Sequence, residues 1–221
     1  MGDVRFYALG IDELRDLFSG SPAAAERMRA LAARAFAPPE PVGAQRQSLL
    51  SRMGGPLTRR PPKSAPVVRP DVPTATDLGN LLAGHHVTPD RLEATWTLVR
   101  LWAEDAAWGS YTQPIDEAGI DEIDFQLSSG GVETRHALRR LFNNRLALPI
   151  GACPRQVAGY VRGAQALEMR DVYREAASWL DPERGAFVRD LAGWLDGFEE
   201  WTRRAPAENR PAPDLIAAFT W

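Results

Sequence analysis

Along this chain of 221 residues the spacing of apolar positions switches between an extended and a helical period, and each switch marks an element. Residues 4–9, Val-Arg-Phe-Tyr-Ala-Leu, are rich in β-branched and aromatic side chains and end at Gly10, which predicts a strand. A short helix is expected from Asp12, with Leu14, Leu17 and Phe18 on one side. Ser21 then stands at a cap position, and Pro22 follows where a missing N–H costs nothing. Met28, Leu31, Ala35 and Phe36 mark the buried stripe of the helix that follows.

Helical spacing resumes at Thr74, where Thr74 and Asp77 form a capping-box pattern ahead of Leu78, Leu81 and Leu82. Thr88-Pro89-Asp90 opens a stronger helix. Its apolar residues form two neighbouring stripes, one of Leu92, Trp96, Val99 and Ala103, the other of Leu98, Leu101 and Trp102. A helix apolar on two sides belongs at the centre of a core. Further helices are expected over about 115–127, 133–142 and 164–180, and a long one from Asp181-Pro182 to about Arg204. Leu146–Ile150 and Val157–Val161 read as extended, and Asp214–Trp221 as a second clear strand. With clear strands at both ends, the simplest arrangement pairs them. The expected fold is therefore α+β and mostly helical: one domain over 1–221, with a small sheet that includes the N- and C-terminal strands and is covered by helices.

Composition changes this picture in one place. Nine of the 18 prolines fall in residues 37–75, together with six basic residues (Arg46, Arg52, Arg59, Arg60, Lys63, Arg69) against Glu40 and Asp71. That stretch carries +4, so the overall −3 conceals a body of −7. It reads as a basic excursion from the fold, interrupted by a short helix over about 44–53. A single cysteine excludes an internal disulfide, no apolar stretch reaches membrane-spanning length, and no secretory leader is visible. A soluble cytoplasmic protein, without a membrane partner, is the expectation.

Four packing patterns carry a family resemblance: the opening Phe6-Tyr7-Ala8-Leu9 strand with its helix; Leu146-Ala-Leu-Pro149-Ile150 followed by Gly159-Tyr160-Val161; the late helix ending in Phe198 and Trp201; and the terminal Asp214–Phe219 strand. In these the chain resembles the YfbM-like proteins, a family of bacterial domains of unknown function, and their longer actinobacterial relatives. The resemblance implies an α/β fold with a small covered sheet. It transfers no catalytic residues, because none are established for that family.

Candidate chemistry is sparse. His85 and His86 are adjacent in a loop, where neighbours point to opposite sides, and His136 lies 50 residues on, expected at the surface. The acidic run Asp116, Glu117, Asp121, Glu122 and Asp124 falls at a helix start, where the dipole favours carboxylates. Glu117 and Asp121, four residues apart, share a face; carboxylates so spaced can hold a hard cation or work as an acid–base pair, but without an EF-hand spacing the face reads as solvated or as a partner-binding patch. Cys153 has Arg155 near in sequence but no histidine, and reads as an inert thiol. Neither a nucleophile elbow, a P-loop nor a dinucleotide fingerprint is present, and no cofactor is expected. The basic stretch 46–69 lacks aromatic residues for base stacking, which disfavours nucleic acid. Trp108, Tyr111 and Trp221, near helix or chain ends, are the candidate contact anchors.

These features lean away from catalysis. They predict a non-catalytic, protein-binding domain of the immunity or adaptor kind that uses Trp108, Tyr111, Asp116, Glu117, Asp121 and Glu122. The alternative is a small hydrolase using His85 or His86 with a carboxylate, the same two histidines being the candidates for a catalytic or a metal-binding role.

Overall fold

The computed structural model describes residues 2–36 and 69–221; the helix expected over 44–53 and most of the basic, proline-rich stretch lie outside them. The strands expected at the chain ends form and pair. β1 (Asp3–Leu9) runs antiparallel to β4 (Asp214–Thr220), with Phe6 opposite Ala217 and Tyr7 opposite Ile216. β3 (Gln156–Val161) flanks β4, and β2 (Ser110–Pro114) flanks β1, so the sheet order is β2-β1-β4-β3, antiparallel throughout.

Chain order maps onto the two faces of this sheet. α1 (Ile11–Arg15), α2 (Pro22–Ala35), α3 (Ala75–Leu82) and α4 (Leu92–Ala106) cover one face. α5 (Glu117–Ser129), α6 (Leu138–Asn143), α7 (Gly163–Ala176), α8 (Pro182–Leu195) and α9 (Gly197–Arg204) cover the other. Alternation along β1 sends Phe6 and Ala8 into the second core and Tyr7 and Leu9 into the first. Both faces being covered explains why β1 and β4 read as nearly unbroken apolar runs rather than as alternating ones. Phe6, Tyr173, Phe198 and Phe219 are fully buried, and truncating one of the phenylalanines to Ala would cost about 3–5 kcal/mol.

The central helix behaves as its double stripe implies: nine α4 residues are buried, and Trp102 donates its indole N–H to the Glu13 carbonyl at 3.0 Å. The capping box at Thr74 also forms. The Thr74 hydroxyl accepts from the Asp77 N–H at 3.3 Å, and the Asp77 carboxylate accepts from the Thr74 N–H at 2.7 Å. Asp181 caps α8 through the N–H groups of Glu183 and Arg184, at 3.0 Å each. α1 is held from a distance. Gly10 has no side chain to cap it, so the buried Asp214 carboxylate accepts the Ile11 N–H at 3.1 Å.

Four expectations are corrected. The single long helix after Asp181 is two, broken at Asp196, whose carboxylate accepts from Arg174 at 2.6 and 2.8 Å. Within α9 the ring of Trp201 lies over Gly197, one turn earlier, so closely that a Cβ there would lie 2.5 Å from it. Leu146–Ile150 joins the sheet at no strand; only Arg145 bridges to Gly159, and Ala147 turns left-handed at φ +52. The helix expected to begin near 133 starts at Leu138 after a 3₁₀ turn at Thr134–His136. Ala35 is exposed, and the buried stripe of α2 is Met28, Leu31 and Ala32.

β2 has no counterpart in the sequence reading. Ser-Tyr-Thr-Gln-Pro carries little apolar signal, and its extended form comes from pairing with β1. No helix among the described residues is long and apolar enough to cross a membrane.

Candidate functional site

The acidic residues of α5 separate by role once the neighbouring elements are in place. Asp116 is the cap of α5, accepting the Gly119 N–H at 2.8 Å. Asp124 turns inward and accepts the N–H groups of Leu138 and Arg139 at 2.6 and 2.9 Å, which starts α6; burial pushes its carboxyl up despite these bonds. Arg139 reaches back to α5 and donates to Asp121 at 2.7 Å and to Glu117 at 3.0 Å, holding Asp121 below its ordinary value. Glu122 accepts from Gln126 at 2.7 Å. The outer face of α5 is thus an ordered row of carboxylates, two of them sharing one guanidinium.

The same face carries Phe125, 67% exposed. Phe125 sits three residues after Glu122, off the buried stripe of Ile120, Ile123 and Leu127. Beside it lies Trp179, 59% exposed, in the turn between α7 and α8. The two rings flank a concavity of about 400 Å³ whose remaining walls are Gln126, Ser129, Gly130 and Asp181. Gln126 ties the walls together, donating to the Asp181 carboxylate at 2.6 Å and accepting the Asp181 N–H at 2.9 Å. Trp179 lies against Gly130, where a Cβ would come within 2.8 Å of its ring. Neither aromatic stood out in the sequence reading, although Phe125 could have been found as an apolar residue on a polar helical face.

Trp108 and Tyr111, the anchors expected from sequence, are half-buried and engaged within the molecule. The Trp108 ring lies under the guanidinium of Arg210 at 4.2 Å and that of Arg204 at 5.3 Å. Arg210 is itself held by Glu13 at 2.7 Å. Tyr111 stacks between Phe6 and Trp194, with centroids 6.2 and 6.0 Å away. Trp221 is 49% exposed and leans on Phe219 at 5.8 Å.

The histidines do not converge. His85 and His86 are exposed in the loop after α3, and the His85 Nδ1 faces the Asn80 Oδ1 at 3.4 Å. Among the described residues no carboxylate lies within hydrogen-bond distance of either imidazole. His136, expected at the surface, is 2% exposed on the opposite side of the sheet. It is buried because Tyr173, at the centre of that core, donates its hydroxyl to the His136 carbonyl at 2.6 Å and holds the turn inward. Its Nδ1 has no partner among the described residues, and burial, reinforced by Arg135, keeps the imidazole below its ordinary pKa. Cys153 is buried, which pushes its thiol up and away from the reactive thiolate. No group of three potential metal ligands occurs among the described residues.

No family model, no curated protein and no solved structure matches this chain.

Proposed function

We propose that this chain is a non-catalytic protein-binding domain, immunity- or adaptor-like, and that its contact surface is the outer face of α5 together with Trp179. The observation that carries the reading is the pair of exposed aromatics, Phe125 and Trp179, flanking one concavity beside the carboxylate row. An aromatic side chain covers about 150–250 Å² of surface, so leaving two in water forgoes several kcal/mol at about 25 cal/mol per Å² until a partner covers them. The neighbouring Glu117, Asp121, Glu122 and Asp181 give the surface a negative rim, which favours a partner presenting an apolar residue flanked by basic ones. A single, buried cysteine needs no oxidising compartment, which supports a cytoplasmic setting. The likeness to YfbM-like packing belongs to the same proposal and supports its architecture only.

The test is affinity capture from the native host at mild salt. A stoichiometric protein retained by the wild type and by Trp221→Ser, but lost by Phe125→Ser with Trp179→Ser, is the expected result. Recovery of no stoichiometric partner, or equal recovery by the double variant, overturns the reading.

A further inference from the structure

We propose that the cavity at the β3 edge of the sheet binds a small, uncharged, apolar molecule that carries a carbonyl oxygen. The cavity measures about 590 Å³, within the range of small-molecule sites, and lies between β3 and the loop of residues 145–153. Its walls come chiefly from Phe142, Leu148, Ile150 and Val157, all partly exposed, together with the buried Trp96. It shares no lining residue with the concavity between Phe125 and Trp179 and does not depend on that surface.

The loop that walls the cavity is pinned at two points. Arg15 donates to the Leu146 carbonyl at 3.1 and 3.3 Å, which ties the loop to α1, and Trp96 donates its indole N–H to the Gly151 carbonyl at 2.9 Å, which ties it to α4. Between these points Ala147 takes a left-handed φ of +52, a conformation that is costly for a residue with a Cβ. With the loop fixed in this way Leu148 and Ile150 stay short of full burial, and the cavity exists before any ligand arrives.

Gln156 identifies the polar group of the ligand. It lines the cavity and is only 5% exposed. Its Oε1 accepts from Arg100 at 2.9 Å, and because a guanidinium offers only donors, this bond fixes the amide orientation and leaves the Nε2 facing elsewhere. That Nε2 donates to no described residue, yet it is not sealed in protein and keeps access to open space. A nearly buried donor on an apolar wall calls for an acceptor oxygen on whatever fills the space. The donor is neutral, Arg100 is already occupied by Gln156 and Thr97, and burial keeps the Cys153 thiol of the same wall protonated. Arg145 stands at the exposed mouth, where water and salt screen it. These surroundings fit a carbonyl better than a carboxylate.

Proton–nitrogen correlation spectra of the full chain, titrated with acetophenone, ethylbenzene or benzoate, test this. Acetophenone should saturably shift the resonances of the Gln156 side-chain amide and the Trp96 indole. Ethylbenzene, similar in shape but without the acceptor, should bind about tenfold more weakly, as the loss of one hydrogen bond to a buried donor implies. Gln156→Met should erase that preference. Ala152→Trp, at an exposed position in the wall, should block both compounds while thermal melting shows the variant folded. No saturable shift with acetophenone up to about 10 mM, equal binding of ethylbenzene by the wild type, binding unchanged by Ala152→Trp, or tighter binding of benzoate than of acetophenone overturns the proposal.

Discussion

The Asp77 carboxylate takes two hydrogen bonds from the Arg91 guanidinium, at 2.9 and 2.5 Å, with Asp77 only 5% exposed. The pair joins α3 to the start of α4. Arg91 also donates to the carbonyls of Arg69 and Val72, at 2.8 and 2.9 Å, and so secures the backbone that re-enters the fold before α3. Removing one partner leaves the other charge poorly solvated, so Arg91→Ala should lower unfolding free energy by about 2–4 kcal/mol. Urea denaturation reads this directly, and limited proteolysis should show new cleavage near residues 69–73. An unchanged midpoint would refute it.

The same pair sets a pH dependence. Burial opposes ionisation of Asp77, but the bonds from Arg91 and Thr74 outweigh it and hold the carboxyl below its ordinary 3.8. The folded value is the lower one, so the stabilisation is complete above 3.8 and disappears as pH falls through the folded value. Asp77→Asn should flatten the acid limb of the stability curve. A variant that loses stability on acidification as the wild type does would show the pair to be irrelevant there.

His136 acts in a higher window. Its folded pKa lies below the ordinary 6.5, so as pH falls through 6.5 the unfolded chain gains a proton that the folded chain does not. Stability should therefore decline below 6.5 until the folded value is passed. Comparing denaturation at about pH 8 and about pH 5, His136→Leu should show a smaller loss than the wild type. Equal losses would place the titration elsewhere.

Two glycines should respond in opposite directions to Ala. At Gly159 a Cβ would lie 2.1 Å from the Leu141 carbonyl oxygen and 2.7 Å from that of Asn144, both backbone atoms that cannot rotate away. Gly159→Ala should cost about 2–3 kcal/mol or more by forcing α6 off β3. Gly193, exposed on α8 with nothing near its Cβ position, should gain about 0.5–1 kcal/mol from the same change. Thermal melts of the two variants should move apart, and a shift in the same direction would contradict the packing described.

Phe125→Ser and Trp179→Ser should leave stability within about 0.5 kcal/mol of the wild type, because both rings are mostly in water. Denaturation of the double variant checks this. A larger loss would mean that the pair serves the fold rather than a partner.

Much of this architecture was legible in the sequence because it rests on local relationships. The Thr74–Asp77 box, the Asp181-Pro182 cap and the double stripe of α4 lie within one helix or its first turn, so neighbours three or four residues apart determine them. The end strands were legible from dense apolar runs that need cover on both faces. Other features depend on residues distant in the chain. β2 is extended because β1 supplies its hydrogen bonds, and Asp196, at the break between α8 and α9, is held by Arg174 from α7. His136 is buried because Tyr173, 37 residues on, holds its carbonyl.

The candidate site divides in the same way. Sequence placed the carboxylates of α5 on a helix, since spacing alone decides that. Only the tertiary structure decided which of them cap, which pair with Arg139, and that Trp179 comes to lie beside Phe125. Periodicity records what a helix must bury, whereas a surface is assembled from elements whose meeting is settled by the packing of the whole chain.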